Sequence, residues 1–128
     1  MKPITDEWIV KAEEDWISML RSYRARKDPS YNVACFHAQQ CAEKYLKARL
    51  VEAGTAFPRT HDLLFLLSLV LPVEPSWGAL QPELDTMNKY AIAYRYPGQD
   101  ATKTDAKEAV KECRRVREII RITFGLPV

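Results

Sequence analysis

Residues 31–47 read Tyr-Asn-Val-Ala-Cys-Phe-His-Ala-Gln-Gln-Cys-Ala-Glu-Lys-Tyr-Leu-Lys, YNVACFHAQQCAEKYLK in one-letter code. No glycine or proline interrupts the chain from here until Gly54, and small or apolar residues recur at Ala34, Ala38, Cys41, Ala42, Tyr45 and Ala48. Positions three and four apart share a helix face. A helix from about Tyr31 to Ala53 is therefore expected, capped by Gly54. Its many alanines permit close approach of neighbours on more than one side, which marks it as the central helix of a bundle.

Four more helices can be placed around it. The first runs from about Thr5 to Arg26, with Thr5 as N-cap and Trp8, Ala12, Trp16 and Tyr23 on its inner stripe. Thr60 is placed to cap a third helix from His61 to about Leu71, closed by Pro72. A fourth is expected from Pro82 to Tyr94, with a seam of Leu80, Leu84, Met87, Ala91 and Tyr94. The last runs from about Thr104 to Phe124, capped by Thr102 or Thr104. Its inner face carries Ala106, Ala109, Val110, Cys113, Val116 and Ile120, and its outer face is rich in Lys and Arg, with Arg117 and Arg121 among them. Only 4 Gly, no Asn-Gly or Asp-Gly turn and little clean alternation argue against strands. The fold class expected is all-α, an up-and-down bundle of about five helices, with residues 1–128 forming a single domain.

Composition narrows the function. Nineteen Lys and Arg against 17 Asp and Glu leave a net charge of +2, which excludes a strongly basic nucleic-acid arm or an acidic tail. Three cysteines (Cys35, Cys41 and Cys113) with no CxxC pair read as small core residues. The two histidines, His37 and His61, lie in different segments, and no metal or cofactor is expected. The N-terminal residues show no signal peptide and the longest apolar run, Leu63 to Leu71, is too short to span a bilayer, so a cytoplasmic protein without membrane attachment is expected. There is no glycine-rich phosphate loop, no GxSxG and no HExxH.

The 31–47 block, the Thr60-His61-Asp62-Leu63 stretch after a Gly54…Pro58 turn, and Tyr94-Arg95-Tyr96-Pro97 together resemble the HEPN family, in order and over nearly the whole chain. They are most similar to short stand-alone members encoded beside a minimal nucleotidyltransferase. The resemblance implies a helical bundle, a homodimer, and one of several roles: ribonuclease, toxin half of a toxin–antitoxin pair, or non-catalytic protein binding a nucleotide or only a partner. Trp8, Trp16, Phe36, Tyr45 and Trp77 also outnumber the rings so small a bundle is expected to cover, which points the same way.

Ribonuclease members carry an Arg, four to six residues, then a His. Arg95 matches the Arg, but Asp100, Ala101 and Thr102 stand where the His would fall, and neither histidine has an Arg at the required distance before it. Metal-free RNA cleavage needs a proton carrier near neutral pH as well as a cation. Arg95 supplies only the cation. The site residues expected to contact a nucleotide or RNA are Arg95, Tyr94 and Tyr96, with Lys44, Lys47 and His61 as further candidates. By default Lys44 and Lys47 would form a solvated face with Glu43, His37 a core or interface histidine bonded to backbone, and Arg95 has an equal alternative in pairing with a carboxylate. One of Gln39 and Gln40 should bond across helices or across a dimer interface. The leading reading is a non-catalytic or weakly catalytic partner of a nucleotidyltransferase that binds a nucleotide or RNA at a site including Arg95. The alternatives are an RNA endonuclease toxin pairing Arg95 with His61, and a purely structural interaction module.

Overall fold

The computed structural model describes all residues 1–128 and contains helices only. Five α-helices follow in order: α1 (Pro3–Arg24), α2 (Tyr31–Ala53), α3 (Leu63–Val70), α4 (Gln81–Asn88) and α5 (Lys103–Thr123). Two 3-10 segments, Pro75–Leu80 and Lys89–Ala91, flank α4. The all-α bundle expected from the sequence is what forms. No helix is long and apolar enough to cross a membrane.

Helix α2 is central, as its alanines require: it packs on α1, α5, α3 and α4. Ala34, Ala38, Cys41, Ala42 and Ala48 are fully buried, and Gly54 closes the helix in the left-handed conformation (φ 72°) that lacks a Cβ penalty. All three cysteines are free and buried. Burial, with Asp105 and Glu112 nearby, raises the Cys35 thiol to about 12, so it stays a packing residue.

Several boundaries move, each for a local reason. Helix α1 begins at Pro3, and Thr5 is not its cap but a buried residue whose hydroxyl donates to Glu52 Oε1 at 2.8 Å. The same carboxylate oxygen accepts from the Lys2 backbone N–H, so α2 supplies the cap of α1. Helix α3 starts two residues late, because Asp62 takes the N-cap and accepts from Leu64 N and Phe65 N. The hydroxyl of Thr60, the expected cap, accepts instead from Asp62 N.

Helix α4 stops at Asn88, whose side chain turns back to accept from Leu63 N at 2.8 Å and to donate to Asp62. The chain tightens to 3-10 winding, which aligns residues three apart and buries Tyr90 along with Met87, while Ala91 and Tyr94 stay partly exposed. Thr102 caps α5 in a reciprocal capping box with Asp105.

Four of the five rings expected to need an external cover, Trp8, Trp16, Tyr45 and Trp77, are packed within the bundle, while Phe36 stays partly exposed. Tyr45 and Trp77 are fully buried, and the Trp77 indole N–H donates to Thr123 Oγ1. Trp16 is half-buried under the guanidinium of Arg117, 4.7 Å from its centroid. The apolar side chains left exposed are different ones, Val10, Ile17, Phe65, Ile92, Tyr96 and Ile122 among them.

Candidate functional site

The N-terminus of α2, the N-terminus of α5 and the chain between α4 and α5 meet at one end of the bundle. Asn32 makes the junction: its amide nitrogen donates to Asp100 Oδ1 at 2.9 Å, and its amide oxygen accepts from Ala101 N at 2.7 Å. On the near side Tyr94 stacks on Tyr90, with centroids 6.1 Å apart. Burial raises the Tyr94 phenol, and the Asp105 carboxylate adds to that, so it stays protonated at neutral pH.

Between these anchors Arg95, Tyr96, Pro97, Gly98 and Gln99 are exposed. Gly98 has φ 99°, a conformation that only glycine adopts without strain. The Arg95 guanidinium makes no hydrogen bond or salt bridge to any residue of the chain, so the carboxylate pairing weighed as its alternative does not form in this structure. Beside it Ile92, Ala93, Tyr96, Pro97 and Gln99 line a shallow hollow of about 350 Å³. The same end carries the exposed cations Arg24 at the end of α1, Arg26 and Lys27 of the α1–α2 turn, and Lys103 and Lys107 on the first turns of α5.

The other expected site residues lie elsewhere, and they are not free. Lys44 donates to Asp15 Oδ2 at 2.5 Å, and Lys47 is buried, with its ammonium 3.0 Å from Glu43 Oε2. The Lys47 ammonium also lies over the rings of Trp8 and Phe57, at 5.6 and 5.8 Å from their centroids. The solvated lysine face expected from the sequence does not exist: both lysines serve carboxylates inside the bundle. His61 keeps an exposed ring but is tied through Nδ1 to Glu43 Oε1 at 2.8 Å. His37 is held the same way by Asp15 Oδ1 at 2.7 Å, and not by backbone. Each histidine thus shares a buried carboxylate with a lysine. Burial pushes the Asp15 carboxyl up, but the hydrogen bonds from His37 and Lys44 outweigh it and hold the group below the usual carboxylate range.

Glu43 is 3% exposed and is surrounded by donors, the Gln39 and Gln40 amides among them. Gln39 also donates to the His61 carbonyl at 2.9 Å, which is the cross-element bond expected of one of the two glutamines. Along the α2 axis Asn32 and Glu43 are roughly 16 Å apart at 1.5 Å per residue. The anchors of Arg95 and of His61 are therefore about three helical turns apart.

A third carboxylate, Glu13, gathers the cations assigned above to the outer face of α5. Arg117 forks onto it through Nε and Nη2 at 2.8 and 2.7 Å, Arg121 lies 3.4 Å away, and the Tyr45 hydroxyl donates to it at 2.7 Å. Arg121 also bonds the Pro127 carbonyl. The outer basic stripe of α5 loses these two members. The largest cavity, about 550 Å³ between α4 and α5, contains none of the expected site residues and is lined by charged pairs such as Arg115 with Glu83, 2.8 Å apart.

Sequence reasoning does not single out Asn32, Asp15, Glu13 or Glu43 as residues that organise a site. For Glu43 a signal exists, since Gln39, Gln40, Glu43 and Lys47 follow helical spacing on one face. Asn32 and Asp15 act through contacts with distant parts of the chain, and no local pattern carries those.

Comparison with known proteins agrees with the all-helical fold. The chain is 30% identical over 112 residues to the "Putative toxin MJ1304" of Methanocaldococcus jannaschii, covering 74% of this chain and 73% of that protein. Its fold matches the crystal structure of TT1696 from Thermus thermophilus, with TM-score 0.77 and 25% identity over 91% of this chain and 95% of that one. It also matches ST0689, an archaeal HEPN homologue, with TM-score 0.75 and 24% identity over 96% and 98% of the two chains, a likeness of fold. The HEPN domain family model matches residues 5–123, and the chain belongs to the HEPN family.

Proposed function

We propose that this HEPN protein is a non-catalytic component of a toxin–antitoxin-like pair that binds nucleotide phosphate or RNA through Arg95 and works with a nucleotidyltransferase partner. The observation that carries the reading is Arg95 itself: an exposed guanidinium with no carboxylate partner, between Tyr94 and Tyr96, at the end of the bundle where further cations collect. A planar, permanently charged fork suits phosphate, and the exposed Tyr96 ring offers a face for a base. Similarity to a relative named as a toxin supports a toxin–antitoxin context.

The non-catalytic half rests on proton transfer. Asp100, five residues after Arg95, is engaged by Asn32, and both histidines are tied to carboxylates of other elements, His37 to Asp15 and His61 to Glu43. Pairing of two copies belongs to the same proposal. Val10 and Ile17, exposed one heptad apart on α1, are the apolar positions that support it, and sedimentation of a 14.8 kDa species at micromolar concentration would remove that part.

The test is a fluorescence-anisotropy titration with a labelled single-stranded oligoribonucleotide. Wild type is expected to bind modestly and salt-sensitively, and Arg95→Ala to bind ~10-fold more weakly with a salt slope lower by about one. Equal binding by the two proteins would leave the interaction module as the better reading.

A further inference from the structure

We propose that Asn32 is the positioning residue of the Arg95 loop: it holds Asp100 and Ala101 against α2, and so keeps Arg95 free of the one carboxylate in its own loop. Both functions of the Asn32 amide are used, the nitrogen donating to Asp100 Oδ1 at 2.9 Å and the oxygen accepting from Ala101 N at 2.7 Å. These two bonds join the first turn of α2 to residues 68 and 69 positions further along the chain. Tyr94, stacked on Tyr90, fixes the other side. The exposed residues between the anchors include Arg95, and Gly98 lets the chain turn there.

Arg95 and Asp100 have opposite charges, belong to one short loop, and form no ion pair. Asn32 accounts for that, because it turns the carboxylate toward the bundle. Without the amide the loop loses its far anchor, and Asp100 becomes a competitor for the guanidinium. The anchoring stands on the geometry alone; its consequence for a ligand rests on the function proposed above.

An amide–carboxylate exchange tests it. Asn32→Asp places a carboxylate where the donor nitrogen stands 2.9 Å from Asp100, so the two repel. Adding Asp100→Asn returns a donor from the other side, while the carboxylate introduced on α2 still accepts from Ala101 N. Hydrogen exchange of the full chain is read over residues 95–101 by mass spectrometry. Asn32→Asp is expected to speed exchange there ~10-fold or more, and the double variant to return it to within ~2-fold of wild type.

Wild-type exchange in Asn32→Asp, or a double variant as fast as the single one, would overturn the proposal. If Asn32→Asp does not fold, Asp100→Ala at an exposed position removes one of the two bonds and is expected to speed exchange ~3-fold; no change would overturn it equally. In titrations with the labelled oligoribonucleotide, Asn32→Asp should weaken binding and the double variant restore it. Absence of any Arg95-dependent binding in wild type contradicts the function proposed above, and the exchange rates still decide the role of Asn32.

Discussion

His61 Nδ1 lies 2.8 Å from Oε1 of Glu43, a carboxylate that is almost fully buried near the middle of α2. This contact ties the one exposed histidine to the core and separates its anchor by about three helical turns from the loop that carries Arg95. It also explains why α3 begins at Leu63 and not at His61: the His61 side chain and its carbonyl are both committed to α2. His61→Ala is expected to leave oligoribonucleotide affinity within ~2-fold of wild type, because the ring lies outside the Arg95 loop. A loss comparable to that of Arg95→Ala in the same titration would join the two residues into one site.

Lys47→Met leaves Glu43 buried with one cation fewer. Removing one partner of a buried pair is strongly destabilising, and the remaining His61 and glutamine donors offset part of it. The expected loss is about 2–4 kcal/mol in urea unfolding. A loss below about 0.5 kcal/mol would mean that the ammonium between Trp8, Phe57 and Glu43 is dispensable.

Ala38 is fully buried on α2. Ala38→Leu should overpack the bundle and cost ~1–3 kcal/mol. An unchanged thermal midpoint would count against the close packing of α2 described above.

Acid should destabilise the protein through Glu13 and Asp15. Burial raises both carboxyls, but hydrogen bonds and charges from Arg117 and Tyr45 on Glu13, and from His37 and Lys44 on Asp15, lower them below 4.5 and 3.8 respectively. A carboxyl depressed in the folded state stabilises above its ordinary value and loses that contribution as pH falls through the folded value. Stability should therefore be level from neutral pH to about 5 and fall below about 4. In Glu13→Gln the fall should be shallower, from a lower neutral-pH starting point. A wild-type stability flat down to about pH 2 would contradict this.

Much of the fold was legible in residues 31–47, because alanine and cysteine at helical spacing specify a helix with close neighbours, and Gly54 specifies its end. The boundaries that shifted did so through side chains arriving from distant elements: Glu52 capping α1, and Asn88 drawing α4 to a close against Asp62 and Leu63. Lys44, Lys47, Arg117 and Arg121 read as surface because helical periodicity places long cations outward; their carboxylate partners come from other parts of the chain or from an adjacent turn. Arg95 was singled out differently, by its match to the family's arginine position between Tyr94 and Tyr96. The structure places it in an exposed loop beside Pro97 and Gly98.

The most direct test of the central claim, phosphate binding without RNA cleavage, is one metal-free assay that follows binding and cleavage of the same labelled oligoribonucleotide by wild type and Arg95→Ala. The account predicts Arg95-dependent binding by wild type and no cleavage above buffer, since the absent proton carrier alone removes a factor of typically ~10²–10⁴. Efficient wild-type cleavage that is lost in Arg95→Ala, and lost again in His61→Ala, would contradict it.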